Sequence, residues 1–305
     1  MTQEDEIEEY GLKDALDVEI VMQRDVHFGG KFPFMIEYYQ REGKGVREEF
    51  DIERIRLLEK TEKDLGQNLA ALLLSGADAE KVARAKNAYE KLRQLYEEKK
   101  KESSALKQGR LIADLILSEE ENPQKAIQAI VKERSALVPL LIDLIRSEDF
   151  YDPLFPGYGF APELAAICLG EIGDKRAIIS LFESIGEQDF VFEDQAIKAL
   201  RLIGEPAKEF LLHVVHAKPI TYDNERAAMA LVYFKDMPGV PEACLAILKE
   251  IDLKHHLVLA TYLILTCESL QDSALRKEFL KIAHAGSTPA ALRSDFKTIE
   301  KHWQS

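Results

Sequence analysis

Three ten-residue segments of the chain share one pattern: AAICLGEIGD at positions 165–174, AIKALRLIGE at 196–205 and AAMALVYFKD at 227–236. The three blocks follow one another at a constant offset of 31 residues (196 − 165 = 31 and 227 − 196 = 31). A fixed period of this length is the sequence signature of stacked supersecondary units, so the chain is interpreted first as an array. Such arrays build extended binding surfaces from neighbouring repeats.

Each block has the apolar spacing of an α-helix. In the second block the small and apolar residues at i, i+3, i+4 and i+7 share one helix face: Ala196, Ala199, Leu200 and Ile203. Cys168, Ala199 and Ala230 occupy the same position in the three blocks. Because a small side chain lets a neighbouring helix approach closely, we expect these three residues to be buried between stacked helices.

A turn and a second helix follow each block. Gly173 and Gly204 stand after the last apolar residue, where a glycine can adopt a left-handed conformation and end the helix. Pro206 and Pro241 fall near the first turn of the next apolar run, where a missing N–H group is tolerated. Each unit is therefore predicted to be a helix, a tight turn and a second helix.

The segment from Glu163 to Ile179 resembles a HEAT repeat, in the short form found in the bilin lyases of phycobiliproteins. The second block matches nearly as well, whereas the third has Lys235 in place of the turn glycine. With weaker flanking units the resemblance covers residues 124–285, and it implies an all-α fold, an α-solenoid of HEAT-like helical hairpins. Repeats of this kind occur in scaffolds, adaptors and a few enzymes, so the resemblance indicates little about function.

The first hundred residues have no repeat. We expect a loop over residues 24–34, a short helix over 34–40, and an antiparallel helical hairpin formed by residues 50–74 and 78–96. The sequence thus predicts two domains: an N-terminal region with a helical hairpin, 1–107, and a HEAT-like repeat array, 108–305.

Composition limits the classes of partner. The formal net charge is −14, which argues against nucleic acid and against an anionic membrane surface, since both favour basic proteins. No apolar run approaches the ~20 residues of a membrane-spanning helix, and residues 1–9 are acidic, unlike a secretory leader. Three cysteines in helical patterns indicate a reducing compartment, so we expect a cytoplasmic protein.

No motif of catalysis or metal binding is recognisable. Gly29 and Gly30 beside Lys31 lack the other elements of a phosphate loop. His213 and His216 could share a helix face, but no third ligand is near them in the sequence. We therefore expect no catalytic residue, no metal and no cofactor, and we favour a non-enzymatic protein.

The loops between repeat units carry aromatic residues. The long loop at 147–162 and the two corresponding loops contain six candidate protein-binding residues: Phe155, Tyr158, Phe160, Phe190, Phe192 and Tyr222. With their acidic neighbours these rings suit a protein partner that is part apolar and part basic. The alternative is that the rings fold under the loops and cap the core.

Three functions compete. The first is a non-enzymatic scaffold or adaptor that binds a protein partner. The second is a tetrapyrrole-binding enzyme or chaperone similar to the bilin lyases. The third is a DNA glycosylase of the HEAT-like type, and the net charge of −14 makes it the weakest.

Overall fold

The computed structural model describes residue 12 and residues 15–97, 103–118, 123–186 and 190–304. Within these ranges every regular element is helical and there is no strand, which confirms the all-α prediction. None of the described helices is long and apolar enough to cross a membrane. The acidic start at 1–9 and the lysine run at 99–101 lie outside the described residues.

Contacts between Cα atoms divide the chain into two compact units, Met1–Ala165 and Ala166–Ser305. The domain boundary expected after residue 107 stays a prediction. The helices that lie in the first unit are α1 (Ala15–His27), α2 (Phe32–Gln40), α3 (Ile52–Leu65), α4 (Leu69–Leu73), α5 (Gly76–Glu97), α6 (Ser104–Ile116), α7 (Gln124–Glu133) and α8 (Val138–Arg146).

Helix α9 (Ala161–Ile172) runs across the boundary between the units. The helices that lie in the second unit are α10 (Ile178–Glu183), α11 (Phe190–Ile203), α12 (Glu205–His216), α13 (Tyr222–Leu231), α14 (Val240–Glu250), α15 (Leu257–Thr266), α16 (Ser273–Ala283) and α17 (Arg293–Gln304). The helical pairs expected before and after the three blocks are present as α7 with α8 and as α15 with α16.

The N-terminal region differs from the expectation in two places. Helix α1 continues to His27 and α2 begins at Phe32, so most of the expected loop at 24–34 is helical. The expected helix over 50–74 ends at Gly66, whose φ of 63° is the left-handed conformation that a glycine adopts easily. Helix α5 packs mainly on α1 and α6, whereas α3 packs mainly on α2, so the expected pairing of 50–74 with 78–96 is wrong.

A buried guanidinium organises the first unit. The Arg24 side chain is fully buried, and it bonds to Asp25, Glu62 and the Asn68 Oδ1 atom at 2.9 Å. Its guanidinium also lies 4.5 Å from the centre of the Phe32 ring. Because a buried charge is tolerated when it is paired and hydrogen-bonded, we interpret this group as structural.

The repeat positions of the second unit are packed as expected. Cys168, Ala199 and Ala230 are all buried, which confirms the burial that was predicted for them. Gly170 makes the closest approach, since a Cβ atom there would lie 2.8 Å from the Ala199 Cα atom. Helices α9 and α11 can therefore meet at this point only when position 170 lacks a side chain.

The turns between the helices lie where the repeat predicts them. Gly173 and Gly204 have φ angles of 69° and 79°, and Pro206 and Pro241 lie in the first turns of α12 and α14. In the third repeat, where Lys235 replaces the glycine, a 3₁₀ turn at Val232–Phe234 ends the helix. The left-handed residue comes later, at Gly239, whose φ is 84°.

Neighbouring helices of the second unit pack in two series. Helix α13 contacts α15, and α15 contacts α17; α12 contacts α14, and α14 contacts α16. Helices from the two series that are consecutive in the sequence also contact each other, for example α12 with α13 and α14 with α15. Helix α11 contacts the 3₁₀ turn at Val232–Phe234 that follows α13, so α11, α13 and α15 are assigned to one series.

Candidate functional site

The long loop at 147–160 folds inward. Phe155 is 2% exposed, and it packs with Met22, Val82 and Ala85 in a small core cluster. Tyr158 is 7% exposed. These two rings are therefore not exposed anchors, and the expectation that they present a docking edge is wrong for both.

His27 holds the loop in place. Its Nε2 atom lies 3.1 Å from the Pro153 carbonyl oxygen, so Nε2 carries the proton that is donated. Its Nδ1 atom then accepts a hydrogen bond from the Tyr89 hydroxyl at 2.8 Å. The imidazole is stacked on the Tyr158 ring, with the ring centres 4.3 Å apart. These contacts are those of a packed histidine rather than of a catalytic base.

Three consecutive left-handed residues make the inward turn possible. Gly157, Tyr158 and Gly159 have φ angles of 89°, 55° and 84°. A Cβ atom at Gly159 would lie 2.9 Å from the Tyr151 carbonyl oxygen, and the Tyr158 ring covers Gly45 so closely that a side chain there would collide with it. The glycines thus bend the loop onto the helices.

Phe160 remains on the surface. Its ring is 42% exposed, and the Lys44 Nζ atom lies 5.7 Å from the ring centre. The same Nζ atom donates to the Ser118 carbonyl oxygen at 3.0 Å. Among the aromatic residues proposed in the first unit, Phe160 is the one whose ring a partner could reach.

The aromatic residues proposed in the second unit are helical rather than in loops. Phe190 is the first residue of α11, and Phe192 in the same helix is buried. Tyr222 is the first residue of α13 and is 50% exposed. Of Phe192 and Tyr222, Tyr222 therefore has the accessible ring, and its hydroxyl lies against Gly186, where a side chain would collide with it.

A second exposed tyrosine lies beside an ion pair on α11. The Tyr233 hydroxyl donates to the Asp194 Oδ1 atom at 2.8 Å, and Lys198 pairs with the same carboxylate at 2.5 Å. The Lys198 and Tyr233 hydrogen bonds lower the pKa of Asp194, and the bond to Asp194 raises the pKa of Tyr233. At neutral pH the carboxylate is charged and the phenol is protonated, so the bond is stable.

A third tyrosine, Tyr262 on α15, completes the group. Burial, followed by the negative charges of Glu193 and Glu225, raises the pKa of Tyr262. Tyr222 acts on it in the same direction. Helix α13, which carries Tyr222 and Glu225, packs on α15. The Tyr222 hydroxyl and the Glu193 carboxylate both lie against Gly186. We call this surface the acidic tyrosine face and define it by six residues: Glu193, Asp194, Tyr222, Glu225, Tyr233 and Tyr262.

Two carboxylates of this face lack a cationic partner among the described residues. The Glu193 Oε2 atom accepts from the Gly186 backbone N–H at 3.1 Å, and the Glu225 carboxylate has no hydrogen bond within the described part of the chain. Exposed apolar side chains at the start of α15, Leu257 and Val258, lie on a helix of the same series. The surface therefore offers unneutralised negative charge beside exposed rings.

The prediction from the aromatic loops included Tyr222 but missed the other five residues of this face, although the sequence carries a signal for it. Glu163, Asp194 and Glu225 follow one another at the same offset of 31 (194 − 163 = 31 and 225 − 194 = 31). Leu202 and Tyr233 are also 31 apart and are both exposed. An acidic position and an exposed apolar position that recur with the repeat indicate a surface shared by successive helices.

The cysteines are unsuited to nucleophilic chemistry. Burial raises the pKa of both Cys168 and Cys244 to about 12, and it raises the pKa of Cys267. The thiolate, which is the reactive form, is therefore disfavoured at all three. Within the described residues no three His, Cys, Asp or Glu side chains are grouped so that they could hold a metal ion.

Comparisons with known proteins add no further constraint. No protein-family model matches the chain, and a search of curated proteins found no relative.

Proposed function

We propose that the chain is a non-enzymatic interaction protein, a scaffold or adaptor, whose acidic tyrosine face binds a protein segment with basic and apolar side chains. The observation that carries the proposal is a set of contacts: α13, which carries Glu225 and the exposed Tyr222 ring, packs on α15, which carries Tyr262. The Glu193 carboxylate and the Tyr222 hydroxyl both lie against Gly186. Glu193 and Glu225 lack cationic partners among the described residues.

Aromatic side chains support this role because they are enriched among the residues that dominate binding energy at protein interfaces. Tyr222 and Tyr233 are exposed, and each is fixed by neighbours of its own unit, Arg226 and Asp194 respectively. Rings that are already held in place lose little conformational entropy when a partner covers them. The negative charge beside them favours a basic partner and increases its rate of association.

The two series of neighbouring helices support a HEAT-like array in the second unit. In such an array one series would present a continuous binding surface, and α11, α13 and α15 belong to one series. We propose that the solenoid arrangement implied by the resemblance is the framework of this surface. A cytoplasmic location and a partner other than nucleic acid accord with the net charge of −14 and remain proposals.

The test is a binding titration of the full chain with a fluorescent peptide of alternating Arg and Leu residues. We expect fluorescence anisotropy to report saturable binding that weakens as salt is raised, because exposed charges are screened. A peptide of alternating Glu and Leu residues should not bind.

Two variants locate the interaction. Glu225→Gln removes one free charge and should weaken binding about two- to fivefold. Tyr222→Ala removes an anchor ring and should weaken it about tenfold or more. Glu209→Gln is the matched control, since Glu209 is an exposed residue of α12, and it should leave the affinity unchanged. Equal affinities for Glu225→Gln and the parent chain would place the partner elsewhere.

The tetrapyrrole-binding enzyme or chaperone remains an alternative that rests on the resemblance to bilin lyases. The arrangement described above favours a basic peptide over a tetrapyrrole, whose propionate groups are negatively charged at neutral pH.

A further inference from the structure

One face of α5 and the long loop enclose a groove within the first unit. The cavity has a volume of about 470 Å³, which is within the range of small-molecule sites. Its floor is apolar and is formed by Ala88 and Leu92 of α5 and by Phe150 and Phe155 of the loop. We call this cavity the α5 groove.

The rim of the α5 groove is polar on the helix side. Arg84, Asn87 and Lys91 line it, and their spacing of three and four residues puts them along one face of α5. Seven residues separate Arg84 from Lys91, so their Cα atoms lie about 10 Å apart along the helix. The groove therefore has a cationic residue toward each end and an amide between them.

The two cations have different surroundings. Arg84 pairs with Asp149 at 3.1 Å, and its guanidinium lies 5.7 Å from the centre of the Phe155 ring. Asp149 also lines the groove, so Arg84 neutralises the acidic side chain that would repel an anion. Lys91 has no ion-pair partner among the described residues and is exposed.

We propose that the α5 groove is a binding site for a small amphipathic carboxylate, with its aromatic or branched apolar body on the rings and its carboxylate at Lys91 and Asn87. The apolar floor would favour burial of the body, because apolar surface is removed from water. Lys91 and Asn87, at i and i+4, can both donate hydrogen bonds to one carboxylate. The site lies in the first unit and is independent of the acidic tyrosine face.

The groove also gives the inward-folded loop a role. His27 fixes the loop through the Pro153 carbonyl, and Phe155 is held in the core cluster. The wall of the groove is thus rigid before any ligand arrives, which reduces the entropy lost on binding. The aromatic residues of the loop would then contact a small molecule rather than a protein.

The test uses 2-naphthoate as the probe and the full chain as the protein. We expect calorimetry to give saturable binding, and we expect NMR shift changes to be confined to the amides of residues 84–92 and 147–155. The neutral analogue 2-naphthalenemethanol should bind about three- to fivefold more weakly, because it lacks the charge that Lys91 recognises.

Two variants at exposed positions distinguish the effect of the Lys91 charge on binding from the effect of the shape of the groove. Lys91→Gln should weaken 2-naphthoate about three- to fivefold and leave the neutral analogue unchanged. Asn87→Trp should fill the groove and abolish binding of both probes. Lys60→Gln is the matched control, because Lys60 is an exposed lysine of α3 away from the groove lining, and it should bind as the parent does. Naphthoate affinity that is unchanged in Lys91→Gln, or shift changes outside the two segments, would overturn the proposal.

Discussion

At the scale of single residues, a histidine shows how burial and hydrogen bonding determine a protonation state. Burial lowers the pKa of His27 to about 4, although its hydrogen bond to the Pro153 carbonyl acts in the opposite direction. The neutral ring is therefore the form that the folded chain contains at neutral pH. The same ring connects α1 to Tyr89 of α5 and to the loop that forms a wall of the α5 groove.

This pKa predicts a pH dependence of stability. In the unfolded chain His27 should titrate near 6.5, so between pH 6.5 and about 4 the unfolded state binds a proton that the folded state does not bind. The free energy of unfolding should thus fall as the pH falls through this window, by up to about 3 kcal/mol from His27 alone. Below pH 4 the His27 ring is protonated in both the folded and the unfolded state. The stability that the neutral ring contributes at pH 7 is then absent, and His27 causes no further fall in the free energy of unfolding.

The measurement is denaturant unfolding at a series of pH values for the parent chain and for His27→Gln. The difference in free energy of unfolding between the parent chain and His27→Gln should shrink as the pH falls from 7 to 4, because the variant lacks the titrating ring. Gln40→Asn, which replaces an exposed side chain of α2 that does not titrate, is the control and should show no such change in the difference. A difference between parent and His27→Gln that is constant with pH would contradict the assignment.

At the scale of elements, the contact between α9 and α11 decides how closely the first two repeats pack. Gly170 faces the backbone of Ala199, and Ala199 is itself buried. Interiors of proteins are close-packed, so a larger side chain at this seam would force backbone shifts. The seam is therefore the most sensitive point of the repeat.

Replacing Ala199 by Leu should destabilise the fold by roughly 1–3 kcal/mol through overpacking. Ala83→Leu makes the same change at an exposed position of α5 and should alter stability by no more than about 0.5 kcal/mol. The free energy of unfolding of both variants is measured in urea. An unchanged midpoint for Ala199→Leu would mean that the repeat alignment at 168, 199 and 230 is wrong.

Elements also show where sequence reasoning succeeds. The period of 31 predicts the helical pairs, the left-handed Gly173 and Gly204, and the buried Ala199, because repeated local patterns constrain local structure and its nearest neighbours. The region before it has no period, so the turn at Gly66 and the partner of α5 depend on tertiary contacts that apolar spacing alone does not specify.

The candidate sites are harder to predict for the same reason. A long loop rich in Gly and Pro favours a surface position for Tyr158. Its burial depends on Gly45, more than a hundred residues earlier, which leaves room for the ring. Glu225 and Tyr262 lie on different helices, and their proximity follows only from the packing of α13 on α15. Pairings of this kind are not visible in a single linear sequence.

At the scale of the whole molecule, each unit has a surface of its own character. The first contains the α5 groove, with apolar rings and an exposed lysine at its rim. The second contains the acidic tyrosine face, in a chain whose net charge is −14. The two proposals therefore require different ligands, a small anion and a basic protein segment, and each can be tested without the other.

The central claim is that the acidic tyrosine face binds a basic, partly apolar protein segment. It is tested most directly by photo-crosslinking the full chain to the Arg and Leu peptide carrying one benzoylphenylalanine, with the crosslinked residues mapped by mass spectrometry. We predict crosslinks on α11, α13 and α15, concentrated around Tyr222, Tyr233 and Tyr262, and their loss when the salt concentration is raised. Crosslinks concentrated on α12 and α14, or in the first unit, would contradict the claim.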